Sequence, residues 1–413
     1  MRRVVFPWIV ALPLAVACGS GSSGKSADDS TDGGDDGSML PVDAASDLDS
    51  QADAGGLVAI PLTACVPNVY SAEMTLGGSQ GFQLLFDTGS TTLAVAALGC
   101  ASCTAADVAT LYVPGPTAVD LKVVATSMYG ANDPSGWTGD IYEDWVGAGA
   151  SPHMARVNLV AITQQSQFLV GRCGVEGTPE GVLGFATSAI ETPGTNGFFD
   201  EVVAEGKVPD VFATRLCSAG GTLWLGGYDP AFTTAPAVYT PMVPPGGWYT
   251  VDLASIAVLG TTIPVPTGSY TATMLDTGSS GSSLAPATCS ALTSAIAASP
   301  AFSGIFGTAA SSFFSGTDCV TLKQTKAQLD AALPPLTLTF GSSPAVTANA
   351  AATESYLLTY GNGQWCPAIV SRAPDSDFAG IAAILGAPML VSNVVIFDRA
   401  NKRVGFAPHT ACP

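Results

Sequence analysis

Two aspartates set in the same surroundings are the residues best able to do chemistry in this chain. Leu84-Leu85-Phe86 runs into Asp87-Thr88-Gly89-Ser90, and Thr273-Met274-Leu275 runs into Asp276-Thr277-Gly278-Ser279. At this composition one such tetrapeptide arises by chance in roughly two chains per hundred, and a pair behind apolar strands roughly a hundredfold more rarely. A single copy would pass as a Gly-Ser turn with a capping Asp. The repeat is the signal. Two carboxylates brought within hydrogen-bond distance cannot both ionise easily, because like charges at short range raise one pKa strongly. One stays a carboxylate and the other an acid, so the pair can take a proton from a water between them and return one to the leaving product. That chemistry needs neither a metal nor a covalent intermediate. Hydroxyls on Thr88 and Thr277 can cross-link the two loops, and Ser90 and Ser279 can donate to the outer carboxylate oxygens.

Each Asp has to be carried to the end of a buried strand and held there. The large apolar residues before it suit burial, and the Gly after it permits a sharp turn. Val69 to Leu76, a turn over Gly77-Gly78-Ser79-Gln80-Gly81 and Phe82 to Phe86 predict a β-hairpin that delivers Asp87. Trp248 to Leu259 with Tyr270 to Leu275 repeats that hairpin ahead of Asp276. A second internal repeat pairs Gly181-Val182-Leu183-Gly184-Phe185 with Ala383-Ile384-Leu385-Gly386-Ala387. Either copy alone reads as an ordinary buried strand end. Few charges, abundant Gly, Ser and Thr, and short alternating apolar runs predict a mainly β, secreted protein. From Leu57 onward the chain is too long for one small core and suits two lobes.

Both Asp motifs, their spacing and their lead-ins resemble the pepsin family of aspartic peptidases. The resemblance extends from about Leu57 to Cys412 and includes the ending Val395 to Pro408. It implies a bilobal pepsin-like acid-protease fold, with lobes over 57–240 and 241–413 joined near Pro241 and a long cleft between them. It implies that Asp87 and Asp276 are catalytic, with Thr88, Gly89, Ser90, Thr277, Gly278 and Ser279 in support, and that the substrate is an extended polypeptide. No metal or other cofactor is expected, and the protein is expected to act as a monomer, best at acid pH. In the family an apolar pair followed by Gly passes beside each catalytic loop, as in the second repeat. Ser127-Met128-Tyr129-Gly130 followed by Trp137 to Ile141 resembles the family's flap, which implies substrate contacts for Tyr129 and Gly130. The plainer alternative is a surface hairpin with an amphipathic Tyr. One position departs: where the family has a Trp bonded to the flap Tyr, this chain has Ala94. Either Trp137 replaces it or the flap is looser. Ala94 and the run Ser279-Ser280-Gly281-Ser282-Ser283 leave open a relative that binds a protein or a glycan without cleaving it, although both motifs are whole.

The ten cysteines suggest disulfides rather than metal, since only two His accompany them. Cys100-Ala101-Ser102-Cys103 reads as a small disulfide loop, which is also what the resemblance implies. Cys319–Cys366 is expected from the family's bridge in the second lobe, and Cys173–Cys217 is a weaker guess. Cys65, Cys289 and Cys412 then share one bridge and leave a free thiol, or the tenth Cys completes the count.

Residues 1–17 read as an export signal: Arg2 and Arg3, then an apolar stretch too short to span a bilayer. Ala15 to Ala17 suits ordinary cleavage, whereas Ala15-Val16-Ala17-Cys18 followed by Gly19 resembles an imperfect bacterial lipobox and implies a lipid on Cys18. The expected location is outside the cell or at its surface, with membrane contact only through that anchor. Residues 18–56 form an acidic linker with nine Asp and one Lys, too polar to offset its ordering entropy. It lacks the basic character of an inhibitory prosegment. From Leu57 on, 24 acidic residues face 11 basic ones, which argues against nucleic acid.

Overall fold

The strand ending at Asp87 buries Phe82, Leu84 and Phe86 in the main core and turns Leu85 toward a smaller one, as its alternation requires. It belongs to a computed structural model that describes residues 56–65, 68–105, 108–129, 135–149, 151–169, 179–263, 270–316, 319–341, 345–371 and 380–412. The expected signal, nearly all of the linker, Cys18, Gly130 and Cys173 lie outside the described residues.

The first half contributes β1 (Val58–Cys65), β2 (Val69–Leu76), β3 (Gln80–Asp87), β4 (Leu93–Ala96), β5 (Val119–Tyr129), β6 (Ser135–Ala148), β7 (Ser151–Ser166), β8 (Gly181–Gly184), β9 (Val211–Cys217), β10 (Gly220–Leu225) and β11 (Val238–Pro241). The second contributes β12 (Thr250–Val251), β13 (Leu253–Val258), β14 (Thr261–Thr262), β15 (Thr273–Asp276), β16 (Ser282–Leu284), β17 (Val320–Thr321), β18 (Leu336–Phe340), β19 (Val346–Ala350) and β20 (Leu357–Gly361). Then follow β21 (Gln364–Pro367), β22 (Ile369–Ser371), β23 (Ala383–Gly386), β24 (Asn393–Asp398) and β25 (Arg403–Pro408). The mainly β expectation holds.

One three-strand unit occurs twice. In the first, β3 runs parallel to β8, setting Asp87 opposite Gly184, and β4 returns antiparallel on the other side of β8. In the second, β15 runs parallel to β23, setting Asp276 opposite Gly386, and β16 returns beside β23. The loop after each Asp crosses the Gly at the end of the neighbouring strand. A Cβ on Gly184 would stand 2.4 Å from the Thr91 carbonyl carbon, and one on Gly386 would stand 2.1 Å from the Gly281 carbonyl oxygen. Hence both copies of the second sequence repeat carry Gly at this position, Gly184 and Gly386.

The first hairpin forms as expected from β2 and β3, but the second is shorter. Only β12 pairs with β15, while β13 turns away to join β14, β18 and β19. The largest sheet crosses between the halves: β11, β25 and β24 join β9 and β10, and the order then runs through β1, β2, β3, β8, β4, β7 and β6 to β5. The C-terminal hairpin thus completes a sheet begun in the first half.

Three described disulfides fix this arrangement: Cys100–Cys103, Cys319–Cys366 and Cys217–Cys412. The first two are as expected, the second because Val320 pairs with Trp365 and so aligns the neighbouring cysteines. Cys217 is not paired with Cys173. The pairing of β9 with β24, and of β24 with β25, brings the chain end back to Cys217. There Arg215 donates to the Thr410 and Ala411 carbonyls. Cys65 and Cys289 are also disulfide-bonded, and none of the described cysteines is a free thiol, which rules out that alternative for them.

Candidate active site

Asp87 and Asp276 end β3 and β15 at 5% and 3% exposure, with their carboxyls within hydrogen-bond reach of each other. Their surroundings match bond for bond. The Gly89 N–H donates to Asp87 Oδ1 at 2.8 Å and the Ser90 hydroxyl to Oδ2 at 2.5 Å. Across the site the Gly278 N–H donates to Asp276 Oδ1 at 2.9 Å and the Ser279 hydroxyl to Oδ2 at 2.6 Å. The loops are locked together through their threonines. Each Thr hydroxyl accepts from the other's backbone N–H at 3.0 Å, and donates to the strand opposite, Thr88 to Leu275 O and Thr277 to Phe86 O. Each motif Gly faces the other Asp: a Cβ at Gly89 would be 2.7 Å from Asp276 Oδ1, and one at Gly278 would be 2.3 Å from Asp87 Oδ1. Any side chain there would wedge the carboxyls apart.

Burial raises Asp276 well above the usual carboxylate range, and the charge of Asp87 adds to the rise. Burial raises Asp87 too, but bonds from Ser90 and Gly89 hold it back. The pair therefore retains one proton into a range where isolated carboxyls would have lost theirs. Among the described residues no three His, Cys, Asp or Glu side chains gather into a set that could hold a metal ion.

Tyr129 closes β5 beside this site. Its ring stacks on Phe168 at 5.1 Å, and its hydroxyl accepts from Trp137 Nε1 at 3.3 Å. Ser90 lies within hydrogen-bond reach, and burial together with the Asp87 charge pushes the phenol up to about 12. Trp137 is almost wholly buried in the same apolar cluster as Ala94. The indole bond to Tyr129 thus comes from the adjacent strand β6, and of the two alternatives posed by Ala94 the structure has this one.

A family model described as eukaryotic aspartyl protease matches residues 69–409. The chain belongs to this family. An aspartic protease of Phaffia rhodozyma is 26% identical over 343 residues, 82% of this chain and 76% of its own length. Cathepsin E of Aquarana catesbeiana is 26% identical over 364 residues, covering 82% and 79%, and pepsin A of Sus scrofa is 26% identical over 354, covering 84% and 83%. The aspartyl protease match accords with the paired strand units and supports the bilobal pepsin-like fold.

Sequence reasoning missed several residues that bond to the two Asp loops or across the halves beside them. Trp248 donates from Nε1 to Gly89 O at 3.0 Å, and Thr187 and Tyr249 also bond across the halves. Trp248 and Tyr249 had as their only signal an aromatic pair at the start of a strand lead-in, and Thr187 had none. Phe168, under the Tyr129 ring, gave none.

Proposed function

We propose that this protein is an aspartic endopeptidase. A water bound by Asp87 and Asp276 is activated by the ionised carboxylate and attacks the scissile carbonyl, while the protonated partner supports the developing oxyanion and then protonates the leaving amine. The observation that carries this reading is the pair of buried carboxyls held face to face in matching loops. Thr88, Gly89, Ser90, Thr277, Gly278 and Ser279 hold the pair, and Tyr129 with Gly130 covers an extended polypeptide. The two features that kept a non-catalytic binder open have structural accounts. Trp137 serves in place of an indole at Ala94, and in the Ser run Ser282 Oγ accepts from the Gly386 N–H at 3.1 Å. The test is incubation with an unfolded protein from pH 2 to 7, with and without a peptide-mimic aspartic peptidase inhibitor. Inhibitor-sensitive cleavage in acid is expected, and no cleavage at any pH would return the binding reading.

We also read 57–240 and 241–413 as the two lobes, with β24 and β25 returning to the first. Residues 1–17 direct export, and residues 19–56 tether the enzyme to a lipid on Cys18. An unmodified Cys18 at the N-terminus of the native protein would remove the lipid and leave export standing.

A further inference from the structure

The segment Gly247-Trp248-Tyr249 reaches both catalytic loops. Toward the first, Trp248 Nε1 donates to Gly89 O at 3.0 Å, and the Tyr249 hydroxyl donates to Phe185 O at 2.5 Å. Phe185 in turn donates its N–H to Asp87 O at 2.8 Å. Gly247 O accepts from the Thr187 N–H at 3.0 Å and the Thr187 hydroxyl at 3.2 Å. Toward the second loop, the Leu275 N–H donates to Tyr249 O at 3.0 Å, and Thr250 pairs with Met274. The segment and the strand it opens therefore grip the two residues before Asp276, Gly89 after Asp87 and, through Phe185, the Asp87 carbonyl.

It is also stiff. The Tyr249 ring is fully buried against Phe212 and Phe397, and Trp248 packs on Met274, Ile381 and Ile384. Gly247 sits at φ +106°, and a Cβ there would meet Ile190 Cγ2 at 2.5 Å. The four bonds of Thr88 and Thr277 lock the loops next to the aspartates, and Gly89, farther along the first loop, is held separately by Trp248. An attachment away from the threonines limits the tilt of that loop.

We propose that Trp248 and Tyr249 are positioning residues for the dyad, a second clasp that fixes the separation and tilt of the Asp87 and Asp276 carboxyls. Its kinetic consequences rest on the endopeptidase reading; its structural ones do not. When the clasp is loosened, the carboxyls move apart and admit water, so the like-charge repulsion that keeps the shared proton weakens. The upper apparent pKa of the pair then falls, and the alkaline limb of the activity profile moves to lower pH.

Tyr249→Phe keeps the ring and removes only the donor, whereas Trp248→Phe removes the donor and trims the indole to a phenyl ring. In each, kcat is expected to fall roughly tenfold with KM nearly unchanged, as for a small misplacement of reacting groups. The alkaline limb is expected about half a pH unit lower, from the weakened coupling. Two further measurements need no turnover: carbon-13 titration of the dyad carboxyls and hydrogen exchange of the amides at residues 88–90. A lowered titration with faster exchange at that loop supports the clasp even if the parent cleaves nothing, which would sink the endopeptidase reading alone. Unchanged titration and exchange overturn the clasp whatever the activity. A rise in KM at constant kcat would make Trp248 a substrate contact and overturn it as well.

Discussion

Asn in place of either aspartate keeps the size and the neutral hydrogen bonds but cannot hold a negative charge or pass a proton. Asp87→Asn and Asp276→Asn are each expected to lower kcat by on the order of 10² to 10⁴, or more where the groups act as one unit, with the fold intact by circular dichroism. Parent turnover in either variant would refute the dyad. The sign of the pH effect follows from burial. Both carboxyls are raised in the folded state, so the pair favours folding in acid, and that contribution is lost as pH rises past the ordinary carboxylate range toward the upper apparent pKa. Activity should fall over the higher part of the same range, and Asp276→Asn should melt higher than the parent at neutral pH. Trp137→Phe removes the indole donor to Tyr129 and leaves a smaller ring in the core; a loss of roughly fivefold or more in kcat/KM is expected, and an unchanged value would show that Tyr129 needs no anchor. Asp87 and Asp276 were legible because the chemistry demands fixed residue types at adjacent positions. The indole that serves in place of one at Ala94 was readable only as an alternative, because it arrives from another strand and only strand register decides whether it reaches Tyr129.

At the scale of elements, the paired three-strand units explain what the sequence repeats could only suggest. Gly184 and Gly386 are required where a loop crosses the strand end, with no room for a methyl group. Gly184→Ala should destabilise by about 1–3 kcal/mol, as overpacking typically does, seen as a lower urea midpoint with an unchanged slope. A variant as stable as the parent would mean that the crossing is looser than its geometry. The lead-in to Asp276 was only half legible. Tyr270 to Leu275 reads as the mirror of the first hairpin, yet β13 leaves that hairpin to pair with β18. Short apolar runs of this kind fit either sheet, and periodicity alone cannot choose the partner. The bridge from Cys217 failed for a related reason: pairing depends on which strands become neighbours, and β9 meets the C-terminal hairpin.

Across the whole molecule the two halves are held by more than the bonds between the two Asp loops. Cys217–Cys412 spans 195 residues and pins the chain end to β9. Replacing both cysteines by serine should cost about 2–5 kcal/mol of stability, read as a lower melting temperature under oxidising conditions and no change under reducing ones. Equal melting temperatures for variant and parent in both would show that the strand pairing suffices. The bilobal, mainly β character was legible because it rests on composition and repeats; the route of the last two strands was not, because nothing local to them names β9 as their partner. That route sets an order of events in time. Since β24 and β25 complete the sheet that β9 and β10 begin, the half of the chain made first waits with an unpaired strand edge until the half made last has emerged. Folding therefore cannot be finished piece by piece during synthesis, and a fragment ending near Pro241 keeps that edge open to other chains.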